Sequence, residues 1–572
     1  MANFSEGHIC HCLRHLATAR RNAVITISGN RQKTGKQFVQ DVLSLARGML
    51  ELGLGAGHVV AISAFNSDMY LEWLLAIAFV GGIAAPLNYR WSFEEARSAM
   101  QLVRPVMLIT DESCQGGWYS NLRSNHIPSL RWHVSLSSSA PSSHLINTWN
   151  VLTTEMLRKQ YSGKSDLPLN YRWAREGAFM ICFTSGTSGR PKGVTLTHAA
   201  LIVQSLAKLA TVGFSENDIY LHTAPLCHIG GISSAMAMLM AGGCHVIIPK
   251  FEPKSALVAI EQYRVTALIT VPAIMADLIS LIRRKETWKG KETVNKILNG
   301  GGGLSVGLLK DAILFFPRAK LLTAYGMTET CSSMTFMTLH DPRMETSSQN
   351  LNTISDKKHT TAHQTLGVCV GKAAPHVELK ISTDGSSQVG SILTRGPHVM
   401  LRYWGTQTPT KAISHDSGDE NWLDTGDVGS IDENGNLWLV GRLNGKIKSG
   451  GENIYPEEVE AILLQHPGIM SIAIVGIPDA RLTEMAIACI QLRKNWVWSN
   501  ASSKHSAKNE ELVLSSEILR QYCREKNITG FKIPKAFIVW EKSFPVTTSG
   551  KIKRDQVRRE VISYLQPLQS SL

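Results

Sequence analysis

The sequence lacks several features that would assign it at once to a common class. Its ten cysteines form no Cys-x-x-Cys pair, which argues against a zinc ribbon or a thioredoxin-like redox site, so we expect reduced thiols. No long apolar stretch opens the chain, so we expect no secretory signal. The most apolar segment, residues 73–85, is too short to span a membrane and contains Gly81 and Gly82. We therefore expect no transmembrane segment.

Length and charge limit the possibilities further. With 572 residues the chain is too long for one compact core, which predicts two or more domains. Lys and Arg outnumber Asp and Glu by 59 to 46, a formal charge of +13. Such a surplus occurs in proteins that bind nucleic acid, anionic membranes or polyanionic small ligands, and also on ordinary basic surfaces. Because the charges form no long basic run, we expect no nucleic-acid partner.

The order of apolar and amphipathic segments predicts the fold class. Strand patterns alternate with helix patterns, as in residues 267–271 followed by residues 273–281, and this predicts helix-covered, mostly parallel sheets. After Gly441-Arg442 the pattern changes to a compact α+β unit. We predict an α/β protein with a large N-terminal domain, residues 1–442, and a small mobile C-terminal domain, residues 443–572.

A glycine- and hydroxyl-rich segment after a predicted strand carries the strongest chemical information. It reads Thr184-Ser185-Gly186-Thr187-Ser188-Gly189-Arg190-Pro191-Lys192-Gly193. Glycines let the backbone approach a phosphate, and hydroxyl and N–H groups can donate to its oxygens. A Walker A loop is excluded, because Lys192 is followed by Gly193 and Val194. The segment predicts a phosphate-binding loop of another type.

This loop resembles the phosphate-binding signature of the adenylate-forming superfamily, which includes acyl-CoA synthetases, peptide-synthetase adenylation domains and beetle luciferases. Further motifs follow in the family's order: Tyr325-Gly326-Met327-Thr328-Glu329, Thr425-Gly426-Asp427, Gly441-Arg442, Lys448-Ser449-Gly450-Gly451-Glu452 and Pro545-Val546-Thr547-Thr548-Ser549-Gly550-Lys551. The resemblance implies an acid–thiol ligase that joins a carboxylic acid to AMP and passes the acyl group to coenzyme A. It also implies ATP and coenzyme A as co-substrates and Mg²⁺ as a cofactor.

The resemblance assigns a role to each motif, and side-chain chemistry agrees. Forming an acyl adenylate brings two anions together, so the site must supply positive charge. Glu329 is expected to bind Mg²⁺ and Thr328 the phosphate, while Tyr325 stacks on adenine and Asp427 accepts from the ribose hydroxyls. The implied nucleotide-binding residues are Thr184, Ser185, Gly186, Thr187, Ser188, Gly189, Lys192, Gly301, Gly302, Tyr325, Gly326, Asp427 and Arg442.

Two half-reactions are expected to alternate through rotation of the small domain. Lys551 is expected to serve adenylation, since a lysine about 4 Å from a forming charge gains about 4 kcal/mol at an effective dielectric constant of 20. Lys448 is then expected to face the pantetheine tunnel, and His228 to lie between the acyl and pantetheine channels. The hinge position, often Asp in the family, is Asn444 here, which leaves the effect of a charge at that point open.

The motifs do not identify the acid. Small and soft side chains after His228, namely Ser233, Ser234, Ala235 and Met236, favour an aromatic acid. Several segments are most similar to the 2-succinylbenzoate–CoA ligase branch of the family, which serves phylloquinone synthesis: residues 222–225, 299–303, 401–404 and 531–535. A dicarboxylate needs a second cationic or hydroxyl site, and the sequence does not choose between Lys208 and Arg264.

Alternatives remain at this level. A 4-coumarate- or fatty-acid-type ligase would share every motif, and a carrier-linked adenylation module or a binding protein that kept the fold are alternatives from other classes. The tail Ser570-Ser571-Leu572 resembles the peroxisomal Ser-Lys-Leu signal without its central base, and the arginines of residues 1–21 slightly resemble a transit peptide. We expect a peroxisomal or chloroplast location, or both. The oligomeric state is not determined.

Overall fold

The structure is a computed structural model, and it describes most of the chain. The described residues are 7–114, 118–122, 124–136, 150–161, 170–185, 191–304, 306–344, 368–383, 388–406, 422–442, 447–454, 456–499, 512–545, 552 and 554–569. The chain divides into two compact units, one of Met1–Tyr89, Glu95–Thr184 and Lys192–Leu443, the other of Arg90–Glu94, Ser185–Pro191 and Asn444–Leu572. The predicted domain boundary after residue 442 is not tested by this division and stays a prediction.

The larger unit contains the first helices of the chain, apart from Phe93 and Glu94 at the start of the fourth helix, which belong to the smaller unit. The α-helices are α1 His11–Ala17, α2 Gly35–Glu51, α3 Asp68–Phe79, α4 Phe93–Val103, α5 Thr154–Tyr161, α6 His198–Val212, α7 Ile229–Ala241, α8 Pro253–Tyr263, α9 Pro272–Ile282 and α10 Val306–Phe315. Short 3₁₀ turns occur at Trp118–Asn121, Ser124–His126, Arg175–Gly177, Lys289–Glu292 and Thr328–Thr330.

Two large sheets lie in the same unit. Their strands are β1 Val24–Ser28, β2 Arg31–Thr34, β3 Val59–Ser63, β4 Ile83–Pro86, β5 Met107–Thr110, β6 Trp132–Ser135, β7 Asn150–Thr153, β8 Ala178–Ser185, β9 Pro191–Thr197, β10 Ile219–His222, β11 Cys244–Ile247, β12 Ala267–Thr270, β13 Lys296–Asn299, β14 Lys320–Tyr325, β15 Thr335–His340, β16 Val368–Ala373, β17 Glu378–Ser382, β18 Gly390–Arg395, β19 Arg402–Tyr403, β20 Leu423–Ile431 and β21 Asn436–Arg442. One sheet has the order β17-β18-β20-β21-β16-β15-β14-β13-β12-β10-β11-β1-β2, and the other the order β19-β9-β8-β4-β3-β5-β6-β7.

Strands β11, β10, β12, β13 and β14 form a parallel block. Their carboxyl ends meet at one edge, which carries His222, Thr270, Asn299 and Tyr325. Ligands of α/β proteins bind at this edge of a parallel sheet. Beyond β14 the pairing becomes antiparallel through β15, β16, β21, β20, β18 and β17. Sequence analysis predicted the parallel block but not this antiparallel extension.

Local sequence explains where several helices begin and end. Thr197 caps α6, since its Oγ1 accepts from the Ala200 N–H at 3.1 Å. Pro253 begins α8, where the missing N–H would have no hydrogen-bond partner within the helix. The apolar segment of residues 73–85 divides into helix α3 and strand β4, because Gly81 turns the chain with a φ of 75°. Within the described ranges, no helix combines the length and apolarity needed to cross a bilayer.

The smaller unit is an α+β layer structure. Its strands are β22 Ile447–Ser449, β23 Glu452–Ile454, β24 Ile469–Asp479, β25 Thr483–Leu492, β26 Trp496–Trp498, β27 Leu512–Leu514 and β28 Ala536–Val539, and its helices are α11 Pro456–Leu463, α12 Ser516–Glu525 and α13 Arg554–Gln569. Side chains of β24 alternate between two apolar cores: Ile474 packs in the core with α11 and α12, and Val475 in the core with α13. The period of two covers both faces of the sheet with helices.

Candidate functional site

A glycine run leaves the carboxyl end of β13 and carries two predicted site residues, Gly301 and Gly302. Asn299 holds this run, because its Nδ2 donates to the Gly302 carbonyl at 2.7 Å. Thr270 on the neighbouring strand donates to Asn299 Oδ1 at 3.4 Å. Gly301 has a φ of 69°, a left-handed conformation that favours glycine. The bend therefore keeps bare backbone at the edge where ligands of α/β proteins commonly bind.

Tyr325 and Asp427 meet at the same edge, although they belong to different predicted motifs. The Tyr325 hydroxyl donates to Asp427 Oδ2 at 2.6 Å, and the two residues are 6% and 1% exposed. The Asp427 N–H donates to Thr425 Oγ1 at 3.1 Å, which fixes the turn of the Thr425-Gly426-Asp427 motif. Asp427 is paired in register with Arg442 on β21, whose side chain lies outside the described atoms. The predicted adenine and ribose residues are thus joined by a short hydrogen bond.

Gly326 is required by close packing of the backbone. A Cβ at this position would lie 1.6 Å from the Ser332 carbonyl oxygen, far inside van der Waals contact. The chain between them forms the 3₁₀ turn Thr328–Thr330 and then passes through Cys331 and Ser332, whose φ angles of 53° and 111° are rare for side-chain-bearing residues. This tight loop presents Thr328 half-buried and Glu329 buried.

Glu329 has a partner that sequence analysis did not assign to the site. The Tyr403 hydroxyl donates to Glu329 Oε1 at 2.9 Å, and the Lys192 Nζ lies 5.4 Å from the centroid of the Tyr403 ring. Strand β19 pairs with β9 so that Tyr403 lies opposite Val194, two residues after Lys192. The structure thereby brings the lysine of the phosphate loop and the predicted metal ligand to the same aromatic ring.

The donor set around Glu329 fits one mode of Mg²⁺ binding. Among the described residues, no group of three or more His, Cys, Asp and Glu side chains is placed to hold a metal ion. Mg²⁺ is often bound by one or two carboxylates together with the phosphate oxygens of a nucleotide. A single buried carboxylate fits that arrangement, in which ATP supplies the remaining ligands.

His228 lies at the start of α7, near the same edge of the sheet. It is the half-buried N-cap residue, and its carbonyl accepts from Ile232 at 3.1 Å. Gly231 allows the preceding loop to cross the helix, because a Cβ there would lie 2.3 Å from the Pro225 carbonyl oxygen. The structure places His228 between the end of β10 and a helix of mostly small residues.

In the smaller unit, Lys448 lies on β22 before a tight hairpin. Gly450 and Gly451 have φ angles of 60° and 85°, and Ser449 pairs with Glu452 across them. Two consecutive left-handed residues form the type I′ turn that joins short antiparallel strands, so glycine suits both positions. The Lys448 N–H donates to Glu484 Oε2 at 2.8 Å, which fixes the strand that carries the predicted lysine.

Some predicted residues lie outside the described part of the chain. Thr184 is the penultimate residue of β8 and is half-buried, and only the backbone of Ser185, the last residue of that strand, is described. The predicted site and hinge residues that are not described are Gly186, Thr187, Ser188, Gly189, Asn444 and Lys551. Their roles stay predictions.

Comparison with known families decides the relationship. The model of the AMP-binding enzyme family matches residues 13–404, and the model of the AMP-binding enzyme C-terminal domain matches residues 458–551. The chain belongs to the AMP-binding enzyme family. The predicted family and the predicted α/β fold class, with a large N-terminal and a small C-terminal domain, are confirmed.

Individual relatives extend this result. The chain is 55% identical over 576 residues to the chloroplastic/peroxisomal 2-succinylbenzoate–CoA ligase of Arabidopsis thaliana, with 100% of both chains covered. The fold matches an amide bond synthetase from Marinactinospora thermotolerans, with a TM-score of 0.75, 23% identity and 97% and 99% of the two chains covered. It also matches a double mutant of o-succinylbenzoate CoA synthetase from Bacillus subtilis, with a TM-score of 0.71, 23% identity and 96% and 98% covered.

Proposed function

We propose that the protein is an ATP-dependent acid–CoA ligase that adenylates 2-succinylbenzoate and transfers its acyl group to coenzyme A, in phylloquinone synthesis. The main support is the 55% identity to the Arabidopsis 2-succinylbenzoate–CoA ligase over the whole of both chains. The arrangement of Tyr325, Asp427, Glu329 and Tyr403 supports the nucleotide-dependent first step.

In the proposed first step, a carboxylate oxygen of the acid attacks the α-phosphorus of ATP, and pyrophosphate leaves. Asp427 accepts from the ribose hydroxyls, and Tyr325 holds its carboxylate in place. Glu329, oriented by Tyr403, would hold Mg²⁺. When bound, Mg²⁺ would neutralise phosphate charge and so favour the approach of the acid. Lys551 adds positive charge next to the α-phosphorus as it becomes five-coordinate in the transition state.

In the proposed second step, the sulfur of coenzyme A attacks the acyl carbon and AMP leaves. Lys448 and His228 border the path of the pantetheine arm in this proposal. The Gly450-Gly451 turn and the Glu484 contact support the position of Lys448 by fixing the strand on which it lies. The exchange between the steps is proposed to use rotation of the C-terminal domain near Asn444.

The proposed location is the chloroplast, the peroxisome or both. The name of the Arabidopsis relative gives the same two compartments, which supports this proposal.

A panel of acids tests the proposed function. Purified protein with ATP, Mg²⁺ and coenzyme A should consume 2-succinylbenzoate faster than 4-coumarate or fatty acids, with equal amounts of AMP and thioester formed. A higher kcat/KM for coumarate or a fatty acid would show that the substrate proposal is wrong.

In the same assay Lys551→Ala should reduce adenylate formation by about 10²-fold or more, in line with the loss of one transition-state donor. The same variant should affect thioester formation from preformed adenylate less.

A further inference from the structure

Lys208 on α6 is a fully buried lysine surrounded by hydroxyl groups. The residue is 0% exposed. Its Nζ donates to the hydroxyl of Ser233, to Ser234 Oγ at 3.1 Å and to Ser332 Oγ at 3.4 Å. Three donations use the full capacity of an ammonium group. The arrangement thus fixes the position of one nitrogen between α6, α7 and the loop that follows Tyr325.

No anion accompanies this ammonium within the described residues. The ion pairs of that part of the chain do not include Lys208, whereas half-buried Lys33 has three carboxylates, those of Asp41, Asp68 and Glu72, within 3.2 Å. Burial lowers the pKa of Lys208 to about 7, so at neutral pH it changes readily between charged and neutral forms. Burying a cation without a counter-ion costs desolvation free energy. An anionic ligand that reached it would remove that cost.

The position of the cluster points to the acyl side of the nucleotide site. Ser332 is half-buried while Ser233 and Ser234 are buried, so Ser332 is the most exposed of the three hydroxyl residues. The Ser332 carbonyl packs against Gly326 in the predicted phosphate motif. Ser233 and Ser234 lie on α7, whose N-cap is His228. The lysine nitrogen therefore lies between the loop of the predicted phosphate motif and the helix that begins after His228.

Arg264 is excluded as the second cation by its place in the sheet. It is exposed and ends α8, between that helix and the start of β12. The amino ends of parallel strands lie at the edge opposite to their carboxyl ends. Arg264 is thus at the opposite edge from Tyr325 and the glycine run.

We propose that Lys208, together with the hydroxyls of Ser233, Ser234 and Ser332, binds the carboxylate of the substrate that is not adenylated and so selects dicarboxylic over monocarboxylic acids. This inference rests on the proposed function and names the residues that give it specificity. The carboxylate would take the place of Ser332 Oγ, the most distant of the three acceptors at 3.4 Å, and receive a charge-assisted hydrogen bond from Nζ, while the hydroxyls can turn to donate to its second oxygen. An acid without that carboxylate leaves the buried ammonium without a counter-ion, which disfavours the binding of that acid.

The experiment compares kcat/KM values for acids with and without the second carboxylate. The monocarboxylic probes are 2-butanoylbenzoate and 4-oxo-4-phenylbutanoate, each of which lacks one carboxylate of 2-succinylbenzoate. The probe that reacts is the one that keeps the adenylated group. Wild-type protein should prefer 2-succinylbenzoate over the reacting probe by about 10²-fold, the range expected for a buried charge pair. K208M should reduce this preference to below about threefold, with the KM for ATP unchanged.

Two further variants make the result decisive. K296M is the matched control, because Lys296 is a partly buried lysine in the same unit whose charge is paired with Asp218 at 2.6 Å, and it should keep the wild-type preference. If K208M does not fold, S332A decides, because it keeps the ammonium and should still lower the preference about five- to tenfold. An unchanged preference in K208M, or in S332A when K208M is unfolded, would overturn this inference while the proposed function stands. Wild-type protein that does not use 2-succinylbenzoate would refute the proposed function itself.

Discussion

Tyr325→Phe tests whether the hydrogen bond to Asp427 prepares the site for ATP. The change removes the hydroxyl that donates at 2.6 Å and leaves the aromatic ring in place. A hydrogen bond to a charged group contributes about 1.5–3 kcal/mol, and this one is short and almost fully buried. If about 2 kcal/mol of this hydrogen-bond free energy orients Asp427 toward the ribose, its loss in Tyr325→Phe should lower the affinity for ATP about 30-fold.

Pyrophosphate exchange into ATP measures this effect directly, with ATP varied at saturating acid and then the acid varied at saturating ATP. The KM for ATP should rise about 30-fold, and the KM for the acid should stay within twofold, because no contact to the proposed acyl pocket is changed. Tyr119→Phe is the control, since it removes a tyrosine hydroxyl that donates to the Asp111 carbonyl at 3.0 Å in the same unit. It should leave the KM for ATP unchanged. An ATP KM within twofold of wild type in Tyr325→Phe would refute the proposed orienting role.

Three further predictions follow from other contacts. Tyr403→Phe, which removes the hydrogen bond to Glu329, should raise the Mg²⁺ concentration for half-maximal activity about tenfold; a normal Mg²⁺ titration would contradict the assignment of Glu329. Gly326→Ala should abolish adenylation, because the added Cβ would lie 1.6 Å from the Ser332 carbonyl oxygen. A fully active variant would contradict this, since it would mean that the loop can shift freely. Circular dichroism at 25 °C would show whether the variant is folded. Acid should destabilise the protein, since burial lowers the pKa of His8 to about 4 and that of His198 to about 2. Below pH 6.5 the unfolded chain binds protons that the folded protein does not. The free energy of unfolding therefore decreases as the pH is lowered, by up to about 1.4 kcal/mol per pH unit for each such histidine. His198→Gln should make this fall shallower between pH 6.5 and 5 in urea titrations, and an unchanged slope would contradict it.

Local sequence determined most of the secondary structure and the family. The helix predicted at residues 273–281 lies within α9. Thr197 and Pro253 begin α6 and α8 through capping and prolyl effects, which act within a few residues. The motif order was equally local information, since each motif is read from consecutive residues. The antiparallel half of the large sheet was not predicted, because alternating short strands do not reveal which neighbours they pair with.

Only the tertiary structure decided which distant side chains act together. Tyr403 and Glu329 are 74 positions apart in sequence, and Tyr325 and Asp427 are 102 apart. Their meeting depends on strand order and register, which are set by the packing of the whole sheet rather than by any local pattern. The same holds for the cation proposed to bind the second carboxylate, for which the sequence offered both Lys208 and Arg264. The fold buries Lys208 among hydroxyl groups and leaves Arg264 exposed at the opposite edge of the sheet.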